Sequence, residues 1–70
     1  MSRSTYLVQF SRQSRFALEL WTEEYASLAD ARIAAESTVD DRDADSAALS
    51  VNHVVTEEYT RLGWDVFHVA

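Results

Sequence analysis

Among the ionisable side chains of this 70-residue chain, which can bind ligands or transfer protons, carboxylates are the most abundant. The sequence has 12 acidic residues, six basic residues that are all arginine, two histidines and no cysteine, giving a formal net charge of −6. Direct binding of nucleic acid requires clustered lysine and arginine, so this balance argues against it. A net negative charge instead favours association with a protein partner that has a basic surface.

Three alternating aspartates resemble the opening of a calcium-binding loop. Asp41, Asp43 and Asp45 follow the pattern D-x-D-x-D. Such a loop requires glycine at its sixth position and a bidentate glutamate at its twelfth, where this chain has Ser46 and Asn52. We therefore predict that residues 40–45 form a solvated acidic loop and not a metal site.

The two histidines, His53 and His68, are the remaining candidates for chemistry. Paired imidazoles can hold a metal ion, and one imidazole can act as a general base. The sequence has no cysteine, no nucleophile motif and no glycine-rich phosphate loop to accompany them. We therefore interpret them as ordinary sheet residues, and we predict neither enzymatic activity nor a cofactor.

Eight of the 12 carboxylates occur in three short groups, and a tyrosine adjoins two of these groups. Tyrosine suits an interface because it adds contact area at low entropic cost. The sequence leaves open whether the groups converge at one rim or spread around the domain, and whether they serve solubility or binding. The candidate partner-binding residues are Glu23, Glu24, Tyr25, Asp40, Asp41, Asp43, Asp45, Glu57, Glu58, Tyr59 and, on a separate argument, Trp21.

A helix over residues 27–39, SLADARIAAESTV, is the most secure element in the sequence. Ser27 and Asp30 match a capping box, and Asp30 suits the positive end of the helix dipole. The apolar residues recur at helical spacing on one side, from which Ile33 is excluded. That side consists of Leu28, Ala31, Ala34, Ala35 and Val39.

Two strands are predicted before the helix. Residues 5–10, TYLVQF, and 15–22, RFALELWT, are rich in aromatic and aliphatic residues, and residues 11–14 are a polar segment of hairpin length. Alternation along the second strand groups Phe16, Leu18 and Leu20 on one face, which we expect to pack on the helix. Trp21 then lies on the open face of the sheet, where an exposed aromatic side chain often marks an interface.

Residues 47–62 fit both a strand and a helix. A helical period aligns Val51, Val55 and Tyr59, whereas the stiff β-branched residues favour a strand. We choose the strand, followed by a turn over 58–63 and a final strand over 64–69, WDVFHV. The predicted fold class is α+β with the order β-β-α-β-β, a single antiparallel sheet with one helix packed on one face.

Length and hydropathy predict one domain over residues 1–70 that lacks a membrane span. No apolar run approaches the roughly 20 residues that a span requires, and residues 1–8 lack the apolar region of a signal peptide. We expect a soluble protein in the cytoplasm. So short a chain without disulfides has a small core, so a partner or a homodimer would add stability.

The order of elements resembles that of small anti-CRISPR proteins of phages and other mobile elements. The matching stretches are residues 5–8, TYLV, residues 27–32, SLADAR, at the start of the helix, and residues 67–69, FHV. Several inhibitors of type I CRISPR effectors combine a hairpin, one helix and further strands. The resemblance implies a non-enzymatic inhibitor that binds an effector complex in a bacterial or archaeal host and blocks target DNA, and it assigns no particular residue.

Two functional hypotheses follow. The first is an acidic protein-binding inhibitor that occupies a basic nucleic-acid-binding surface of a partner complex, most concretely a CRISPR effector. The second is a homodimeric structural or accessory domain of a phage or high-GC bacterium, joined through the open sheet face around Trp21 and without an inhibitory role.

Overall fold

The computed structural model describes residues 5–67, which form one antiparallel sheet of five strands in the order β2-β1-β3-β4-β5. A single helix lies between β2 and β3. The α+β class, the single sheet and the position of the helix are thus as predicted. The elements are β1 Tyr6–Gln13, β2 Leu18–Tyr25, α1 Leu28–Asp40, β3 Ser46–Val51, β4 Val54–Thr60 and β5 Gly63–Val66.

Helix α1 begins and packs as its sequence predicts. The Ser27 hydroxyl accepts a hydrogen bond from the Asp30 amide at 3.1 Å, which satisfies one orphan donor of the first turn. Ala31, Ala35 and Val39 are fully buried, whereas Ile33 is exposed. The small alanines let the helix lie close to the sheet.

The helix ends in a left-handed residue that is not glycine. The amide of Asp41 donates to the Ser37 carbonyl, and the amide of Asp43 donates to the Thr38 carbonyl. Arg42 lies between them with a φ of 65°, the backbone conformation that glycine usually supplies at this position. These bonds fold the acidic loop back onto the end of the helix.

The first hairpin is longer than predicted, and its second strand faces the opposite way. The turn occupies residues 14–17 instead of 11–14, and Phe10 lies opposite Trp21 in the register. Since cross-strand partners share a face, Trp21 points to the helix side with Phe10. The prediction that Leu18 and Leu20 pack on the helix while Trp21 lies on the open face is therefore wrong.

Within residues 47–62, where one strand followed by a turn was predicted, the chain forms a hairpin of two strands, so the sheet has five strands and not four. Asn52 and His53 form its turn, with φ values of 50° and 70°, as expected for a type I′ turn. The register shifts between Leu49 and Ser50, which leaves Thr56 as an extra residue in β4.

The last strand is shorter than the predicted strand over residues 64–69. Strand β5 ends at Val66, and residues 68 and 69 lie outside the described part of the chain. The predicted turn over 58–63 is also wrong, because β4 continues to Thr60. The actual turn leads into Gly63, whose φ of 113° is one that other residues rarely adopt.

The core lies between α1 and one face of the sheet, which we call the helix-side face. It consists of Val8, Phe10, Ala31, Ala35, Val39, Ala44, Ala47 and Leu49, all fully buried. The opposite face, which we call the open face, has no covering element among residues 5–67. The domain thus has one packed layer and one sheet surface that remains accessible.

Candidate functional site

Three residues at successive helical turns connect α1 to the outer strands of the sheet. Positions 32, 36 and 40 have i, i+4 spacing and therefore lie along one side of the helix, above β4 and β5. Each makes one hydrogen bond to a side chain on the helix-side face. The bonds are Arg32 to Glu57 at 2.8 Å, Trp64 to Glu36 at 2.9 Å and Tyr59 to Asp40 at 2.9 Å.

The bond between Arg32 and Glu57 is also an ion pair, with a shortest N–O distance of 2.7 Å. Glu57 is only 6% exposed, so its carboxylate is buried and its charge is compensated by the arginine. Glu57 was predicted as a partner-binding residue in an exposed acidic patch. The structure places it beneath the helix, where it fixes α1 on the sheet.

The two carboxylates of this row, on α1 itself, form hydrogen bonds and no ion pair within residues 5–67. Glu36 and Asp40 accept hydrogen bonds from neutral donors, the indole N–H of Trp64 and the phenol of Tyr59. The bond to Asp40, with a smaller contribution from lost hydration, raises the pKa of Tyr59 above its ordinary value of 10.0. The two rings contact each other, with centroids 5.0 Å apart. These carboxylates are therefore oriented by hydrogen bonds from neutral groups and not by an ion pair.

Further exposed carboxylates lie at the two ends of the helix. Asp30 lies in the first turn of α1, and Asp41 and Asp43 follow its last turn; all three are exposed. Together with Glu36 and Asp40 they form what we call the acidic helix surface. None of the five takes part in an ion pair within residues 5–67. The predicted candidates Asp40, Asp41 and Asp43 are thus close together.

Asp45, the last predicted candidate of the acidic loop, has a structural role. Its carboxylate accepts the Gln13 amide at 2.7 Å and pairs with Arg61 at 3.1 Å. Its own amide donates to the Ser11 carbonyl at 2.7 Å. Asp45 therefore fastens the loop to the ends of β1 and β4, and part of its charge is compensated.

The first predicted acidic group does not form one patch. Glu23 and Glu24 are successive residues of the edge strand β2, so their side chains point to opposite faces of the sheet. Tyr25 donates its hydroxyl to Glu23 at 3.0 Å. Lost hydration, and then this hydrogen bond, raise the pKa of Tyr25 above its ordinary value. Tyr25 also packs against the core, next to the first turn of the helix.

Glu58 lies on the open face, away from the acidic helix surface. Its cross-strand partner in β5 is Asp65. The predicted acidic groups thus do not converge at one rim: they occupy both faces of the sheet and both ends of the strands.

Trp21 is part of the helix-side face and not an isolated aromatic residue on the open face. Its ring stacks on Phe10 with a centroid distance of 5.4 Å and an interplanar angle of 21°. The pair extends the core beneath the helix towards the β2 edge. Trp21 therefore does not lie on the open face, where it was predicted to form the centre of a dimer interface.

Only one of the two histidines lies within the described residues, and it is not part of a strand as predicted. His53 is an exposed residue of the β3–β4 turn, and His68 lies outside the described residues. Between residues 5 and 67 there is no group of three histidine, aspartate or glutamate side chains arranged to hold a metal ion. In the same part of the chain, no helix has the length and apolar character needed to cross a membrane.

The chain was compared with protein-family models, curated proteins and solved structures, and none of them matches it. The function is therefore inferred from the residues and their contacts. Sequence reasoning missed Asp30 and Glu36 as parts of the acidic helix surface, and it missed Trp64 as the donor to Glu36. The i, i+4 spacing of Arg32, Glu36 and Asp40 was the available signal, because charged residues at this spacing share one side of a helix.

Proposed function

We propose that this protein is a small acidic inhibitor that binds a basic surface of a nucleic-acid-handling complex and excludes the nucleic acid from it. The acidic helix surface is the observation that supports this proposal. Its five carboxylates are exposed on α1 and the loop that follows, and none forms an ion pair within residues 5–67. The proposed activity is non-enzymatic, and it requires no cofactor.

The geometry of this surface suits competition with a nucleic acid backbone. Asp30 and Asp40 are separated by ten residues, which corresponds to about 15 Å along a helix axis at about 1.5 Å per residue. Negative charges spread over this distance can engage the lysines and arginines that would otherwise contact phosphates. The net charge of −6 attracts such a partner before contact.

The hydrogen bonds from Trp64 and Tyr59 should increase the affinity of this surface for a partner. A carboxylate that is already oriented loses less side-chain entropy on binding than a freely rotating one. Neutral donors provide this orientation and leave the negative charge available to the partner. The buried pair of Arg32 and Glu57 fixes the position of the helix itself.

The most concrete form of the proposal is an anti-CRISPR protein that blocks DNA binding by a type I effector in the cytoplasm of a bacterial or archaeal host. This form follows from the resemblance in element order, and the acidic helix surface is compatible with it. The test is a competition assay with a purified type I effector complex and a fluorescent target duplex. Fluorescence anisotropy should fall as the protein is added, and the inhibition should weaken as salt is raised.

A matched pair of variants tests which surface is responsible. Glu36→Gln/Asp40→Asn removes two charges but keeps an acceptor oxygen for Trp64 and Tyr59, so the fold should persist. Glu23→Gln/Glu24→Gln removes two charges from β2 and serves as the control. The first variant should inhibit about tenfold less than the parent, and the control about as well as the parent. Equal losses in both variants, or no displacement of DNA by the parent, would contradict the proposal.

A further inference from the structure

The open face of the sheet is a second surface with features of a binding site. The register places Leu18 and Leu20 of β2 and Val55 of β4 on this face, where they are 62%, 57% and 40% exposed. No described helix or strand covers them. These aliphatic side chains lie on either side of the central strands β1 and β3.

The middle strand of the sheet carries only short side chains on this face. Strand β3 contributes Ser46, Ala48 and Ser50 to the open face, and Gln9 and Leu7 of β1 stand beside the last two. The open face therefore has a shallow trough along β3. The trough reaches Leu20 through Ser11 of β1 and is bordered by Val55 beside Ser50.

The charges on this face have one sign. Glu58 and Asp65 are directly opposite each other on β4 and β5, an arrangement of like charges that destabilises a sheet. Glu24 points to the same face from β2. None of these three carboxylates forms an ion pair within residues 5–67. The single arginine in the described strands, Arg12, pairs with Glu19 on the other face.

We propose that the open face binds a segment of a protein partner that carries arginine beside aliphatic side chains. The aliphatic groups would occupy the trough beside Leu20 and Val55. The guanidinium would lie between Glu58 and Asp65, where its planar fork can donate to both carboxylates and relieve their repulsion. Lysine offers a single charged group and fits this pair of acceptors less well.

Charge also argues against a second copy of this chain as the occupant. Two open faces stacked about a twofold axis would bring two sets of Glu24, Glu58 and Asp65 into one interface. The described strands supply no cation on this face to compensate them. This inference goes beyond the proposed inhibitory function, because it concerns a different surface and requires no competing nucleic acid.

The test uses a blocked hexapeptide, Leu-Ser-Arg-Ser-Leu-Ser, as the probe, titrated into the isotope-labelled protein and followed by NMR. The serines place leucine and arginine on the same side of the extended peptide. We expect amide shifts in β2, β3, β4 and β5, with α1 unchanged. Glu58→Gln/Asp65→Asn, which removes the repulsive pair and should fold, should weaken binding about five- to tenfold. The control, Glu36→Gln/Asp40→Asn, removes the same charge from the helix side and should change the affinity by less than about twofold.

Other outcomes would overturn the inference. Shifts confined to α1, or equal losses in both double variants, would show non-specific charge attraction. Equal affinity for the same hexapeptide with lysine in place of arginine would remove the preference for arginine. Open-face shifts that depend on protein concentration without peptide would identify a second copy as the occupant. Leu20→Ser should weaken binding of the peptide several-fold even at high salt. An unchanged affinity would exclude the apolar part of the contact.

Discussion

Arg32 and Glu57 form an ion pair whose two members differ in access to water. Glu57 is 6% exposed, whereas the side chain of Arg32 is 46% exposed. We expect Arg32→Met to lower the free energy of unfolding by about 2–3 kcal/mol, because it leaves a buried carboxylate without a counter-charge. Glu57→Met should cost less than about 1 kcal/mol, since the arginine can turn to solvent. Urea unfolding at neutral pH measures both.

The exposed ion pair between Arg12 and Glu19 provides the control for this comparison. Both side chains are about half exposed, at 45% and 48%. Arg12→Met should therefore change the free energy of unfolding by less than about 0.5 kcal/mol. If Arg12→Met and Arg32→Met cost the same, burial of Glu57 does not determine the effect.

Tyr25 and Tyr59 make stability depend on alkaline pH. Their phenols donate to carboxylates, and the pKa of each is raised in the folded state. The proton is therefore held more tightly in the folded chain than in the unfolded chain. The resulting stability is fully present below about pH 10 and is lost as the pH rises through the folded pKa values. The chain has no lysine to titrate in the same range.

Urea unfolding at a series of pH values between about 9 and 12 tests this dependence. The double variant Tyr25→Phe/Tyr59→Phe should show a flatter decline than the parent. Tyr6→Phe, which removes the remaining tyrosine, is the control and should keep the decline. If the free energy of unfolding of the parent protein rises with pH in this range, the prediction is contradicted.

At the scale of elements, the β3–β4 turn places a side chain where glycine is preferred. His53 has a φ of 70° at the second position of the turn. His53→Gly should raise the free energy of unfolding by about 0.5–1 kcal/mol. Glycine removes the strain of the left-handed conformation, and this gain exceeds the loss that comes from its greater entropy in the unfolded chain. His53→Val should lower it, because a β-branched residue tolerates positive φ poorly. Thermal unfolding compares the variants, and a lower midpoint for the glycine variant would contradict the prediction.

Helix α1 was predictable because its signals are local. The Ser27 cap and the spacing of Ala31, Ala35 and Val39 are all contained within one stretch of sequence. The turn at Asn52 and His53 was missed because His53 stands where the usual Asn-Gly pair of a two-residue hairpin loop has glycine. The β-branched residues on either side then suggested one continuous strand.

The orientation of β2 was not predictable from its alternation alone. Alternation shows which residues share a face, but it does not show which face is buried. The more apolar set, with Leu18 and Leu20, looked like the core face, yet the hairpin register aligns Trp21 with Phe10. Because β2 is an edge strand, the helix side tolerates Glu19 and Glu23 beside Trp21.

The candidate site was predictable only in part for a related reason. Asp40, Asp41 and Asp43 are adjacent in sequence, so their proximity in the acidic helix surface was expected. The contacts that orient this surface join residues far apart in the chain, such as Glu36 with Trp64, 28 positions later. Sequence spacing carries no information about such pairs until the sheet order is known.

At the scale of the whole molecule, unpaired negative charge should make stability depend on salt. The net charge is −6, and only three ion pairs occur within residues 5–67. Screening reduces repulsion among the remaining carboxylates, so the urea midpoint should rise from about 0.01 M to about 0.5 M sodium chloride. Glu24→Gln/Glu58→Gln/Asp65→Asn, with less repulsion, should respond more weakly. A midpoint that falls with salt would mean that attractive pairs dominate.

Strand β2 leaves one long side of the sheet without a neighbouring strand. It pairs with β1 over eight residues without a register shift, and it contains no proline. Such an edge is a template for adding strands from other molecules. Glu19, Glu23 and Glu24 place charge along it, and like charges on approaching copies repel each other. The three glutamates should therefore keep this edge from pairing with the same edge of other copies.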